Sequence, residues 1–244
     1  MDHDSKIISN AIARLTKDAP QVSESFLTTG LLTAAGGFLD TYSYLARGGV
    51  FANAQTGNIV LLGIQLINGS WTGCLRYLLP VAAFSGGVMI SHAVRDGIRK
   101  SRQIHWRQCL ILIEILLLTI ASFLPRGWIP DTAANILIST VCAIQFSAFR
   151  KSSGYASATT FCTGNLRSGS DALYRYRKTG NREELRKMKN YFGLILSFFA
   201  GIPLGILSVR IANEKGLLFC LPVMTIAFLL MFIDKEKVTG SAVK

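Results

Sequence analysis

Asp40 is a lone carboxylate inside an apolar run, Phe26–Leu45, five residues before the end of that run. In the middle of a bilayer such a group costs roughly 2.5–3.5 kcal/mol on insertion scales. Two readings follow. Asp40 faces a cavity and binds a proton or cation, or it lies near the outer surface, solvated or paired with Arg47. Just downstream, Asn53, Gln55, Thr56 and Asn58 gather amide and hydroxyl groups in one short segment, and Thr160, Thr163 and Asn165 repeat that chemistry in the second half of the chain. With Tyr44 these residues form a candidate substrate-binding set. Side chains of this kind hydrogen-bond small solutes, and they also cap helix starts; the two uses are compatible. Gly57 and Gly164 let the backbone break beside them. A broken helix leaves N–H and C=O groups that protein, water or a ligand must satisfy.

Other chemistry is poorly served. Cys74, Cys109, Cys142, Cys162 and Cys220 are scattered, and none forms C-x-x-C. That spacing argues against a zinc site or a disulfide framework. No G-x-S-x-G, Walker, H-E-x-x-H or dinucleotide fingerprint is present. An enzyme is therefore not expected, and neither a cofactor nor a metal is implied. Glu114 lies six residues into the run Gln108–Leu124. It is expected to snorkel toward the cytoplasm or pair with an Arg of the adjoining basic loop, ahead of a relay role. Arg167 and Asp171 are spaced to neutralise each other as an i,i+4 pair.

The elements that must position these residues are long apolar runs. Of 244 residues, 50% are hydrophobic and 16% charged, against about 25% charged in a soluble domain. Six stretches have the length of a membrane span: Phe26–Leu45, Tyr77–Val94, Gln108–Leu124, Ile129–Phe149, Tyr191–Val209 and Gly216–Ile233. Two others, Phe51–Ile67 and Ser157–Leu173, mix polar and apolar residues and read as broken or re-entrant segments. The net charge of +12 is not spread evenly. Residues 95–107 and 175–189 are strongly basic, as are Arg150–Lys151 and the C-terminal tail, which places all of them in the cytoplasm. Nucleic-acid binding is excluded for want of a soluble fold to present the basic stretches. Residues 1–25 carry Asp2, Asp4, Asp18 and Glu24 without a continuous apolar core, so no cleavable signal peptide is expected. This arm has apolar residues at helical spacing and lies on the membrane surface or frays.

The two halves resemble each other. N-A-Q-T-G-N-I at 53–59 is echoed by T-F-C-T-G-N-L at 160–166, and Phe84-Ser85-Gly86-Gly87 aligns with Phe199-Ala200-Gly201-Ile202. The unit is span, broken segment, span, span. Three spans per unit require the units to be inverted, an arrangement found in transporters with a midplane site. If Phe51–Ile67 spans fully, the repeats are instead parallel. The expected fold is an all-α membrane protein of about six transmembrane helices and two broken segments. Residues 26–124 form the first repeat and 125–233 the second, flanked by a cytoplasmic arm (1–25) and tail (234–244). Gly201 and Gly205, with Ala82/Gly86 and Ala83/Gly87, read as the packing seam between repeats.

The run Gly36-Gly37-Phe38-Leu39-Asp40-Thr41-Tyr42-Ser43-Tyr44-Leu45, continued by Gly49-Val50-Phe51-Ala52-Asn53-Ala54-Gln55-Thr56-Gly57-Asn58, resembles the signature of the YoaK family of bacterial membrane proteins (DUF1275). Thr159–Leu166 resembles that family's second signature. One departure stands out, Gln145-Phe146 in place of Gln-Asn. The resemblance covers residues 25 to 235 and implies a multi-pass protein of the bacterial inner membrane; the loop charges place both termini in the cytoplasm. It implies no substrate. On the residues themselves, the leading expectation is a small-solute or ion permease whose coupling group is Asp40. A non-transporting sensor or scaffold with basic cytoplasmic loops is the alternative, and an intramembrane lipid enzyme the third. The expected partners are the bilayer and a small solute or coupling ion, with homo-oligomer formation left open.

Overall fold

The computed structural model describes residues 21–98, 105–157 and 162–232. Residues 1–20 of the N-terminal arm, Thr160 and the C-terminal tail lie outside the described residues, and so do the expectations attached to them.

The chain is almost entirely helical. Helix α1 spans Phe26–Ala46; α2, Gln55–Ile67; α3, Trp71–Ile98; α4, Trp106–Ser122; and α5, Trp128–Ala148. A two-residue hairpin, β1 (Lys151–Ser152) and β2 (Tyr155–Ala156), precedes α6 (Cys162–Thr179). Helix α7 (Arg182–Ala212) then passes through a 3-10 turn, Asn213–Cys220, into α8 (Leu221–Leu230).

Local chemistry sets these boundaries. Ser25 caps α1 by accepting the Thr28 N–H at 3.3 Å. Asn181 caps α7 by accepting the Glu183 N–H at 2.9 Å. His105 and Gln108 close a capping box on α4. Helix α1 is polar for a buried helix, and it satisfies its own hydroxyls. Thr29, Thr33 and Thr41 each donate to the carbonyl four residues back, at 2.8, 2.7 and 2.9 Å.

Three helical stretches among the described residues are long and apolar enough to cross a membrane: Trp71–Ile98, Trp128–Ala148 and the continuous run Arg182–Leu230. Six separate spans were expected, and the reasons for the shortfall are physical. The threonines and Asp40 dilute the hydropathy of α1. Helix α4 has 17 residues, about 25 Å of rise. The last expected span, Gly216–Ile233, is no separate helix. Its first turns are 3-10 and Pro222 opens the 10-residue α8. Helix α2, with 13 residues, rises about 20 Å, short of a hydrocarbon core near 30 Å. The helix inventory does not establish an inverted repeat either. Its two candidate broken segments differ in length and polarity, and α4 has no straight helical counterpart in the second half.

Two clusters of contacts define the ends of the bundle. At one end Arg107, at the start of α4, donates to Glu24 at 2.9 Å, Ser23 at 2.9 Å and the Ala148 carbonyl at 3.1 Å. This joins the entry to α1, the start of α4 and the exit of α5. At the other end Arg47 joins the exit of α1 to the α4–α5 hinge. Arg126 of that hinge faces Glu214 of the 3-10 turn at 3.8 Å.

Helix α1 packs along α7, and α3 packs along α5; α2 lies on α3 and α6 on α7. The first seam depends on missing side chains. A Cβ on Gly37 would overlap the Phe198 carbonyl, and one on Gly201 would overlap the Ala34 carbonyl. At Gly205 it would lie 2.9 Å from the Phe38 carbonyl. In the second seam a Cβ on Gly87 would meet the Thr140 carbonyl and the Ala143 methyl, both at 2.7 Å. Gly201, Gly205 and Gly87 thus sit at the seams, as expected. Gly86 faces open space, because a helix turns it about 100° from its neighbour.

Candidate functional site

The segment between α1 and α2 is held by side chains on both. Asp40 is buried, and its Oδ1 accepts the Asn53 N–H at 2.7 Å and the Ala54 N–H at 3.3 Å. Three residues on, Ser43 Oγ accepts the Ala52 N–H at 3.1 Å. From the other side Asn58, wholly buried, clamps residue 51. Its Oδ1 accepts the Phe51 N–H at 3.0 Å and its amide donates to the Phe51 carbonyl. Gln55 supports the clamp by accepting from Asn58 at 3.0 Å and donating to the Ala52 carbonyl at 2.7 Å. Every backbone N–H from 51 to 54 therefore has a partner although no regular structure surrounds it.

This arrangement decides between the readings of Asp40. It is neither solvated at the surface nor paired with Arg47. Arg47 is turned the other way and is the largest fully buried side chain. It donates to Tyr42 Oη at 3.0 Å, Asp131 at 3.0 Å, and the carbonyls of Ala121, Leu124 and Pro125 at 3.2, 2.9 and 3.0 Å. The guanidinium of residue 47 fastens the end of the bundle, leaving Asp40 to face α2.

Beyond the pinned loop lies a cavity of about 530 Å³, the largest described near these residues. Asp40, Thr41 and Tyr44 of α1 line one wall, and Phe51, Ala54 and Thr56 another. Cys162 and Thr163 from α6 and Phe198, Ile202 and Ile206 from α7 complete it. The Tyr44 and Phe51 rings stack with centroids 4.8 Å apart. The lining is mostly apolar, and none of these residues is basic.

The candidate set thus divides. Asp40, Tyr44, Thr56 and Thr163 come together on the cavity. Asn53, Gln55 and Asn58 stand behind its wall, in the loop and its clamp. Asn165 is buried on α6 and is not among the lining residues. Sequence reasoning missed the α7 wall. Its signal was the spacing of Phe198, Ile202 and Ile206, which puts three apolar residues on one helical face. It also missed Ser43 and Gly37, which lie inside the same first-half signature.

Glu114 contradicts its expectation. Its side chain is fully buried, reaches no solvent and forms no ion pair, and neither carboxylate oxygen has a hydrogen-bond partner. Eight residues into α4, it is too deep to snorkel. The guanidinium nearest in sequence, Arg107, is engaged by Glu24. Arg167 and Asp171 are exposed and form no salt bridge with each other.

Comparison with known proteins places the sequence in a family. The model for "Protein of unknown function (DUF1275)" matches residues 28–231. The chain belongs to the DUF1275 family. Over 143 residues it is 29% identical to the UPF0700 transmembrane protein YoaK of Bacillus subtilis (strain 168), a match covering 57% of this chain and 62% of that one. The chain therefore aligns with somewhat under two thirds of that relative's length. No solved structure matches. As a DUF1275 member with several membrane-crossing helices, the protein is a multi-pass bacterial membrane protein, as the first-half signature implied.

Proposed function

We propose that this DUF1275 protein is a small-solute permease, a carrier rather than a catalyst, of the bacterial inner membrane. The cavity between Asp40, Tyr44, Thr56 and Thr163 is its solute site. One observation carries the reading: residues beside the two T-G-N motifs, distant in sequence, line a single cavity together with a buried carboxylate. A site at the junction of two halves is where carriers of this architecture hold their cargo.

The helix packing supports the same reading. Helices α1, α3, α4, α5 and α7 run between the Arg107 end and the Arg47 end, and the 3-10 turn with the short α8 returns from the second to the first. Gln108 and Met231, joined at 3.4 Å, bring the exit of α8 to the Arg107 end. Arg95, which lies over the Trp106 ring next to Arg107, and Arg150–Lys151, which follow the exit of α5, belong to that end, as a cytoplasmic face requires. On this reading α2 and α6 enter partway, and α5 runs opposite to its counterpart α1. Each half then lends its first helix to the long helix of the other half.

The cavity's chemistry narrows the solute. It is largely apolar, holds a stacked aromatic pair and presents one carboxylate without a basic neighbour among the described residues. It suits a small, mostly apolar solute with a cationic or hydrogen-bond-donating head, since an aromatic face and a carboxylate both attract a cation.

The test is flux into vesicles containing purified protein, using a panel of small amines, neutral and anionic solutes. Wild-type protein is expected to move a member of the cationic group. Thr163→Trp and Thr56→Trp, which fill the cavity without touching the Asn58 clamp, are expected to reduce flux at least tenfold at equal protein level. Flux unchanged in both variants, or no flux of any solute by wild type, overturns the proposal.

A further inference from the structure

The permease reading uses Asp40 and leaves Glu114 without a role. Yet Glu114 is a wholly buried carboxyl, and among the described residues nothing pairs with it. On α4 it shares one face with Leu110, Ile111, Leu118 and Ala121, all wholly buried. Neither of its oxygens has a hydrogen-bond partner. An ionised carboxylate without a partner is costly in such surroundings.

The facing helix is also unusual. Asn135, Ser139, Cys142 and Gln145 on α5 follow one another at four, three and three residues, so they form a single stripe. All are fully buried, and Asn135 Oδ1, Ser139 Oγ and Gln145 Oε1 have no hydrogen-bond partner. The amide nitrogens at the two ends are fixed to α1. Asn135 donates to the Arg47 carbonyl at 2.8 Å and Gln145 to the Leu32 carbonyl at 3.2 Å. The stripe therefore runs along the interface with α1. Cys142, within it, lies in electrostatic range of both Asp40 and Glu114. Native proteins rarely leave several buried polar atoms unmatched along one line. Water or a mobile proton would match them.

We propose that Glu114 is a proton-binding site inside the bundle. A proton fits where a metal cation does not. A hard cation needs about six oxygen ligands, and here the two carboxylate oxygens stand among leucine, isoleucine and cysteine. The titratable groups in electrostatic range of Glu114 are the Cys142 thiol of α5 and the Cys220 thiol of the 3-10 turn, and Glu114 forms no salt bridge among the described residues. This inference goes beyond the permease reading, and its measurement needs no solute.

Infrared spectroscopy of wild type, E114Q and E114D in phosphatidylcholine bilayers, titrated from acid to alkaline pH, tests it. The wild-type minus E114Q difference is expected to show the C=O stretch of a protonated carboxylic acid at neutral pH. That band is expected to shift in D₂O and to convert to carboxylate bands as pH rises. In E114D the conversion should occur at a different pH. Should E114Q fail to assemble, the wild-type minus E114D difference carries the same reading. A missing acid band at neutral pH, or a band that responds to neither D₂O nor pH, overturns the proposal. Vesicles that move no solute would sink the carrier reading and leave this result standing.

Discussion

Arg47 and Glu114 are both fully buried charged-type side chains that touch the same part of the bundle, and they are treated in opposite ways. Arg47 makes five hydrogen bonds, three of them to backbone carbonyls at the end of α4 and its hinge. Glu114, two turns inside the same helix, makes none. The carbonyls of Ala121, Leu124 and Pro125 would lack intrahelical partners at a helix C-terminus, and a cation is favoured there. Arg47 is thus a structural charge, whose surroundings specify it completely. Nothing around Glu114 specifies a carboxylate, and a leucine would fill the volume. A group that the fold does not need but still buries at a cost is better explained by what it does than by what it holds.

The largest expected effect comes from breaking the satisfied member. Arg47→Ala removes five donors at once, strands the C-terminal carbonyls of α4 and leaves Asp131 unpaired. A loss of about 3–5 kcal/mol is expected, the range for opening a buried ion pair from one side. Thermal unfolding in detergent, followed by loss of the monodisperse peak, measures it. Arg47→Lys should recover only part, because an ammonium cannot span the same set of planar contacts.

Asn58→Ala comes next. It leaves the Phe51 N–H and C=O without partners in an otherwise buried turn, at about 1–3 kcal/mol. If the clamp only supports the cavity, Asn58→Ala lowers thermal stability and flux together, whereas Thr163→Trp lowers flux alone. Equal stability of Asn58→Ala and wild type would show that the loop does not depend on the clamp. Asp131→Asn is smaller, at about 0–1 kcal/mol, since the carboxylate is 22% exposed and is one of five partners. Its loss should be visible in a double-mutant cycle with Arg47→Lys.

The contrast also explains what could be read from the chain. Helix ends at Phe26 and near Ala148 were legible because apolar runs are bounded there by a Ser cap and by Arg150–Lys151. The meeting of Thr56 with Thr163 was legible as a repeated T-G-N. Roles inside the signature were not. Asn58 and Thr56 are two residues apart and equally polar, yet one is a buried clamp and the other lines the cavity. Only the rotation of α2 separates them. Gly86 and Gly87 differ in the same way. The pairings considered for Arg47 with Asp40 and for Glu114 with a basic-loop Arg are not formed, for a related reason. Sequence places a charge at a depth in a helix but not opposite its partners, and the partners of Arg47 lie more than seventy residues downstream.

The smallest expected effect on stability is the most telling. Glu114→Leu replaces an unpartnered acid with an apolar group of similar size, so stability should stay within about 0.5 kcal/mol of wild type or rise. A loss approaching that of Arg47→Ala would mean that Glu114 has partners of its own, and the contrast would collapse. If stability holds and the pH-dependent acid band vanishes, the carboxyl is retained for its proton alone. The same substitution then separates coupling from binding in flux measurements. Exchange of solute across the membrane should persist in Glu114→Leu, while the dependence of net uptake on a pH gradient should be lost.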